Sequence, residues 1–395
     1  MRATPLPPGA LLPRAEWRSL GVSSKRLAGP ALTTIFHGYS TPTAAPATVN
    51  TMCRVLQQSV VPGAVISHTT AASLMGIALP CWIDGAIGAL TSAAYLDGGV
   101  FTVPSTLPLV PHLAGELAGG QVHDTPSAWT ERFESGLPLQ GPGPSFGPPR
   151  ASRPLKAPPV LHLRVDSGNQ RSAGLYVTVH RTSPRPAFAC GGLELSHPYI
   201  VLLELARLLE HDDLVIAIDS LVSREPHVRG ATLDGIIAAA ETYGSLWGIA
   251  ALRKALRVAR PGTDSPGETR TRLLLMRAGF PEPVINHPVR DSDSSTMRYL
   301  DLAYPELKIA VEYDGDYHRL SKDQWREDEA RKDSLASEGW TIRTLTGRDI
   351  KAPSRLLSAL HRSFSQAGAP APPESNWAGR AGARLGRSLA PPSRR

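Results

Sequence analysis

The sequence predicts an α+β protein of several domains, with a helical unit and wing at the N-terminus, a mixed α/β middle region and an α/β unit at the C-terminus. Three observations carry this. Helical spacing and strand alternation fall in separate blocks along the chain. Pro/Gly-rich breaks divide those blocks. The 395 residues are enough for two or three domains, and a hydrophobic content of 42% supplies their cores. That content excludes a wholly disordered chain, and the absence of a Gly-X-Y or heptad period excludes a collagen or a coiled coil.

The blocks follow in order. In residues 10–80, Glu16–Ala28 has helical composition and Leu32–Tyr39 reads as a strand. Ala47–Val60 reads as a helix with Val49, Met52, Val55, Leu56 and Val60 on one side. Pro62-Gly63 is a turn, and Ser67–Met75 is a short helix with Ser67 at its cap. Residues 81–140 belong to a β-rich stretch. Gly141–Pro159 holds seven Pro and three Gly, so it reads as a linker that supports neither a helix nor an inner strand. Residues 160–260 begin with the strand pair Val160–Val165 and Leu175–His180. A helix follows from Ser196-His197-Pro198, with Ser at the cap, to about Glu210. Further helical patterns cover 212–223, 231–243 and 244–258.

Arg260-Pro261-Gly262 then breaks the pattern. Residues 264–364 alternate as helix 266–278, strands near 297–303 and 307–313, helix 322–338, strand 340–345 and helix 353–364. From 366 to 395 the chain is Pro, Gly, Ala and Arg, with five Arg against Glu374, and reads as a disordered basic tail.

The formal net charge is +7, and 35 of the 42 cationic residues are Arg. This balance permits a nucleic-acid partner without requiring one. Cys53, Cys81 and Cys190 are odd in number and lack C-x-x-C spacing, which argues against a disulfide framework and a cysteine zinc site. The N-terminus has no signal-peptide core. The most apolar stretch, Tyr199–Leu209, is too short to span a bilayer and is interrupted by Glu204 and Arg207. A cytoplasmic protein without a membrane partner is expected.

The informative chemistry lies between Arg298 and His318. If Pro305-Glu306 is a two-residue turn, Asp301 and Glu312 share one face of the hairpin as diagonal neighbours, and Lys308 and Asp314 share the Glu312 face. Carboxylates projecting together need a cation between them, and oxygen ligands suit Mg²⁺ or Mn²⁺. A one-residue change in turn length would send Glu312 to the opposite face. Upstream, Ser265-Pro266-Gly267-Glu268 is a capping-box pattern, so Glu268 is either a cap or a third acid.

Together, Asp301-(ten residues)-Glu312-Tyr-Asp314-Gly315-x-x-His318, Asp328-x-x-Arg331-x-Asp333-x-Leu335 and Gly339-Trp340-Thr-Ile-Arg343 resemble the very-short-patch-repair (Vsr)-like endonuclease domain of the PD-(D/E)xK superfamily. Gly267-Glu268-Thr-Arg-Thr-Arg and Gly279–Asn286 fit the same resemblance, which covers about residues 264–364. It implies a restriction-endonuclease-like α/β domain acting on DNA. Asp301 and Glu312 would ligate the metal, and Glu268 would lean in from the first helix. Asp314 stands where the superfamily has Lys. The role of activating the water then falls to His318, which the Vsr-like branch favours, or to Lys308. Arg331 is a candidate phosphate contact, or one member of a surface ion pair.

Phe36-His-Gly38-Tyr39 and Pro62-Gly63-Ala64-Val-Ile-Ser67-His68-Thr-Thr-Ala71-Ala72-x-Leu74-x-Gly76 resemble the AbiEi-type antitoxins more loosely. That resemblance implies a winged-helix unit near the N-terminus. Two functions follow. One is a Mg- or Mn-dependent DNA endonuclease with an accessory DNA-binding module, in repair or phage defence. The other is a catalytically inactive DNA-binding regulator of antitoxin type.

Overall fold

The computed structural model describes residues 4–80, 160–165, 173–174, 176–182, 185–224, 231–244, 246–290, 296–314 and 333–378. The β-rich region expected over 81–140 and the linker 141–159 lie outside them. Among the described residues, those up to Leu209 and those from 231 to 254 form one compact unit; residues 210–224 and 255–378 form a second.

In the first unit, β1 (Leu12–Pro13), β2 (Leu32–Phe36) and β3 (Tyr39–Pro42) make an antiparallel sheet of order β1-β3-β2. Trp17 is fully buried beside Val22 and Leu32, and its Nε1 donates to Ser40 O at 3.0 Å. The helix expected over Glu16–Ala28 is two short helices, Arg14–Ser19 and Ser24–Leu27. Gly21, at φ +82°, interrupts it in a conformation that side-chain-bearing residues rarely adopt. The helix Val49–Val55 continues as a π turn, Leu56–Val60, within the range expected for one helix.

The second sheet of this unit has the order β6-β5-β4-β8-β7. Its strands are β4 (Val65–Ile66), β5 (Leu161–Val165), β6 (Val177–Arg181), β7 (Ala187–Cys190) and β8 (Leu193–Ser196). Strand β4 has only two residues yet sits at the centre, antiparallel to β5 and parallel to β8. The segment around Val65 therefore belongs to the sheet of the middle region, and residue 80 does not divide two units. The helices His68–Leu74 and Pro198–Leu205 pack against each other, and the first packs on β5. His197, not Ser196, caps the Pro198 helix, its Nδ1 accepting from Tyr199 N at 3.3 Å. Ser196 ends strand β8, and its hydroxyl is engaged elsewhere. That helix also ends earlier than expected, at Leu205.

The second unit is built on a four-stranded sheet of order β12-β11-β10-β9: β9 (Val284–Arg290), β10 (Met297–Tyr304), β11 (Ile309–Tyr313) and β12 (Thr341–Leu345). Strands β9, β10 and β11 are antiparallel in turn, and β12 runs parallel to β11. Val289, Leu300, Ala303, Ala310, Leu335 and Trp340 form one core cluster. The helix Pro266–Ala278 packs on β10 and β11, and Ser354–Gln366 packs on β12. The helix His211–Leu221 belongs here too, so the unit begins well before residue 264. Asp219 of that helix is fully buried against Arg272 at 2.8 Å and also accepts from Thr269 Oγ1 and Arg260 N. Burial pushes the Asp219 carboxyl up to about 6, and Arg272 opposes that rise.

The basic tail begins later than composition suggests. Trp377 is buried, stacks on Phe280 and donates from Nε1 to Ser358 Oγ at 3.0 Å, while Asn376 Nδ2 donates to Ala278 O at 2.9 Å. Residues 367–378 are therefore part of the packed unit, and 379–395 lie outside the described residues. Among the described residues, no helix is long and apolar enough to cross a membrane, and Cys53 is a buried free thiol.

Candidate functional site

The Pro266 helix starts as a capping motif demands. Ser265 Oγ accepts from Glu268 N at 3.2 Å, and Pro266 occupies the first turn. The Glu268 carboxylate reaches back to accept from Asp264 N at 2.9 Å, one residue short of the reciprocal capping-box bond. Gly267 makes room for the site's neighbour. A Cβ there would lie 2.1 Å from the Tyr313 ring, so the end of β11 packs directly on the first helical turn.

Strands β10 and β11 bring the acids together. Leu302 pairs with Val311, Ala303 with Ala310 and Tyr304 with Ile309. One step further along this register, Asp301 falls opposite Glu312. The connection is four residues, a 3-10 turn Pro305–Leu307 followed by Lys308, rather than the expected two. Two extra residues preserve side-chain parity, so Asp301 and Glu312 remain on one face but become direct, not diagonal, neighbours. Asp301 Oδ2 accepts from Tyr313 N at 2.9 Å, extending the hairpin past its last ladder pair. Glu268 is 6% exposed, and its carboxyl is pushed up to about 8, first by burial and then by the negative charge of Asp301. Cap and acid thus coincide in one residue.

Asp314 follows β11 directly, its N–H donating to Leu345 O at 2.8 Å. Lys308 does not join the acids. It holds the left-handed position of the turn, at φ +49°, and its Nζ donates to Glu338 O at 2.6 Å. Four residues of extended chain, roughly 13 Å, separate it from Glu312. Its expected place on the carboxylate face assumed that β11 began at 307. His318 and Arg331 lie outside the described residues; of the helix expected over 322–338, residues 333–337 are helical.

A second constellation lies in the first unit. His68, His162 and His180 place one ring nitrogen each within 4.8 Å of one another, and they are the one such trio of potential metal ligands among the described residues. Glu268, Asp301 and Glu312 are not drawn together that closely. His162 and Arg164 alternate along β5, and register sets Arg164 opposite His180 of parallel β6, so all three share a face. His68 opens the helix that covers it. His162 Nδ1 and His180 Nε2 are 2.9 Å apart, and the His68 and His180 rings stack at 3.6 Å between centroids.

Glu204, buried on the Pro198 helix, accepts from His68 N at 2.8 Å and from Ser196 Oγ at 3.1 Å. Ser196 Oγ accepts in turn from Arg164 Nε at 3.0 Å, and Arg164 lies 3.8 Å from Glu204. Burial pushes Glu204 up to about 7 against the pull of these partners. Burial and mutual repulsion push His68 down to about 2 and His162 to about 4; burial and Arg207 lower His180. All three imidazoles are therefore neutral at pH 7.

Two uncharacterized proteins of Mycobacterium tuberculosis, one from strain CDC 1551 / Oshkosh and one from strain ATCC 25618 / H37Rv, are similar to this chain. Each is 26% identical over 209 residues, which is 53% of this chain and 69% of the relative. No family model matches the chain. No solved structure matches it either.

The histidine trio is absent from the sequence-based expectations. His68 appears there only within a motif, and His162 and His180 had no assigned role. A hint existed in His162 and Arg164, two polar residues alternating in an otherwise apolar strand. Nothing local links them to His68, 94 positions before His162.

Proposed function

We propose that the second unit is a metal-dependent DNA endonuclease of the Vsr-like type, using Mg²⁺ or Mn²⁺, and that the first unit carries a winged-helix-like DNA-binding module. The observation that carries this reading is the meeting of Glu268 and Asp301 at the junction of the Pro266 helix and the β10–β11 hairpin, with Glu312 opposite Asp301. A buried acid that holds its proton first through burial and then through a neighbouring acid's charge is one a hard cation can deprotonate and ligate, so the residues present fit such an ion. When bound, the ion would polarise the scissile phosphate and acidify a water.

Asp301 and Glu312 would hold the ion from one hairpin face. Glu268 would lose its proton on metal binding and complete the oxygen set. His318 is the proposed base, since Lys308 is committed to the Glu338 carbonyl. The test is nicking of supercoiled plasmid with Mg²⁺ or Mn²⁺. Asp301→Ala and Glu312→Gln should each abolish cleavage and leave DNA binding largely intact, because affinity comes mainly from phosphate contacts elsewhere. Equal loss of binding in both variants refutes the catalytic assignment.

The second reading, an inactive DNA-binding regulator, is favoured by one observation: Asp314 occupies the usual lysine position and Lys308 does not replace it. A wild-type chain that binds DNA but cuts none with either ion establishes that reading.

A further inference from the structure

We propose that His68, His162 and His180 form a binding site for one divalent metal ion of the zinc class, separate from the carboxylates of the second unit. The trio converges from the first residue of a helix and from two adjacent parallel strands, so secondary structure on every side positions it. Two zinc–nitrogen bonds of about 2.0–2.1 Å at a tetrahedral angle set their nitrogens roughly 3.3 Å apart. His162 Nδ1 and His180 Nε2 stand at 2.9 Å, so they need to part by only a few tenths of an ångström. The third ligand nitrogen already lies within 4.8 Å of both.

His68 shows the marks of a positioned ligand. Its φ of +51° is the left-handed conformation, costly for a residue with a side chain and kept where surrounding contacts enforce it. Glu204 accepts its backbone N–H at 2.8 Å. Its Nδ1 lies 2.9 Å from Ser67 Oγ and 3.7 Å from the Glu204 carboxylate. A proton on Nδ1 is satisfied there, which leaves the Nε2 lone pair for a metal. This is the outer-shell carboxylate and hydroxyl pattern that orients ligating histidines.

The surrounding charge selects the type of ion. Arg164 and Arg185 both act on the one carboxylate of the cluster, Glu204, and Arg185 and Arg207 also bear on His68, so among the described residues cationic groups outnumber the carboxylate. That field disfavours a hard cation bound by charge through oxygen, such as Mg²⁺. Zinc-class ions bind neutral imidazole strongly enough to overcome it. His162 and His180 are only partly buried, so an exchangeable fourth position faces the more open side of the trio.

The test uses the full chain, stripped with a chelator and titrated with Zn²⁺ by calorimetry and with Co²⁺ by visible absorption. The expected result is a single micromolar-or-tighter site for Zn²⁺, a tetrahedral nitrogen-ligated Co²⁺ spectrum, and no Mg²⁺ binding that competes with either. His162→Gln and His180→Gln should each weaken Zn²⁺ at least about 10-fold, since even outer-shell changes cost 10–100-fold. His361→Gln, whose ring contacts the Pro372 carbonyl in the other unit, should not. Circular dichroism of each variant confirms that it is folded. A wild-type chain that gives neither a Zn²⁺ isotherm nor a Co²⁺ spectrum overturns the proposal. So does a folded His162→Gln/His180→Gln double variant that binds Zn²⁺ as the wild type does.

Discussion

Glu268→Gln separates a buried titrating acid from a simple helix cap. Glu268 ordinarily titrates at 4.5 but in this fold holds its proton to about 8. Between those values the native state keeps a proton that the unfolded chain has released, so stability falls as pH rises through the window and levels off above pH 8. At ~1.4 kcal/mol per pH unit the full difference is an upper bound of about 5 kcal/mol. Glutamine keeps an oxygen to accept from Asp264 N and carries no charge to repel Asp301 at high pH. The variant should match the wild type near pH 4.5 and exceed it increasingly toward pH 8.5, by about 2–5 kcal/mol. Urea unfolding at pH 5, 6.5 and 8.5, followed by tryptophan fluorescence, measures this difference. Glu204 and Asp219, whose pKa values are also raised, titrate in both proteins and cancel. A stability difference that does not change with pH, or a variant weaker at pH 8.5, refutes the reasoning. Mg²⁺ at pH 8.5 should then stabilise the wild type more than the variant, because only the wild type offers the ion a third carboxylate.

Three further variants have distinct expected outcomes. Gly267→Ala sets a methyl group into the Tyr313 ring, so it should lower stability by about 1–3 kcal/mol and reduce cleavage by displacing the end of β11, measured by thermal melting and nicking on one preparation. Lys308→Met should leave cleavage nearly unchanged while lowering stability slightly through the lost bond to Glu338 O. His318→Ala should remove the acid limb of the pH–rate profile; an inactive Lys308→Met beside an active His318→Ala reverses the assignment of the base.

What was legible in the sequence was what short-range chemistry specifies. The Pro266 helix runs from Pro266 to Ala278 as expected, because Ser265, Pro266 and Gly279 each satisfy a separate end condition, with Gly279 at φ +96°. The two strands carrying Asp301 and Glu312 were legible from alternation, and their shared face survived because the turn differs by an even number of residues. Strand β9 escaped notice since Pro288 and Asn286 spoil its pattern, and both are tolerated because β9 is an edge strand. The packed segment after 366 was hidden by its Pro and Gly content, although a single Trp377 in the Phe280 pocket is enough to anchor it.

The first unit was harder for a reason that also explains its histidines. Its second sheet is centred on β4, two residues whose partners β5 and β8 come roughly a hundred residues later or more, and no local pattern specifies such a pairing. Once β4 takes that place, several consequences follow together. Ser67 and His68 emerge from the centre of the sheet and begin a helix over its face. His162 and Arg164 of β5 then lie beneath that helix, and His180 of β6 lies beside Arg164 by register. Ser196 is held in β8, facing Arg164 and Glu204, which leaves the cap of the next helix to His197. A polar cluster of this density under a helix costs stability unless each member is satisfied. Arg164, Ser196 and Glu204 satisfy one another through direct bonds. The three imidazoles stack in all three pairs, His68 Nδ1 meets Ser67 Oγ, and His162 Nδ1 meets His180 Nε2, the short contact into which the proposed metal ion would insert.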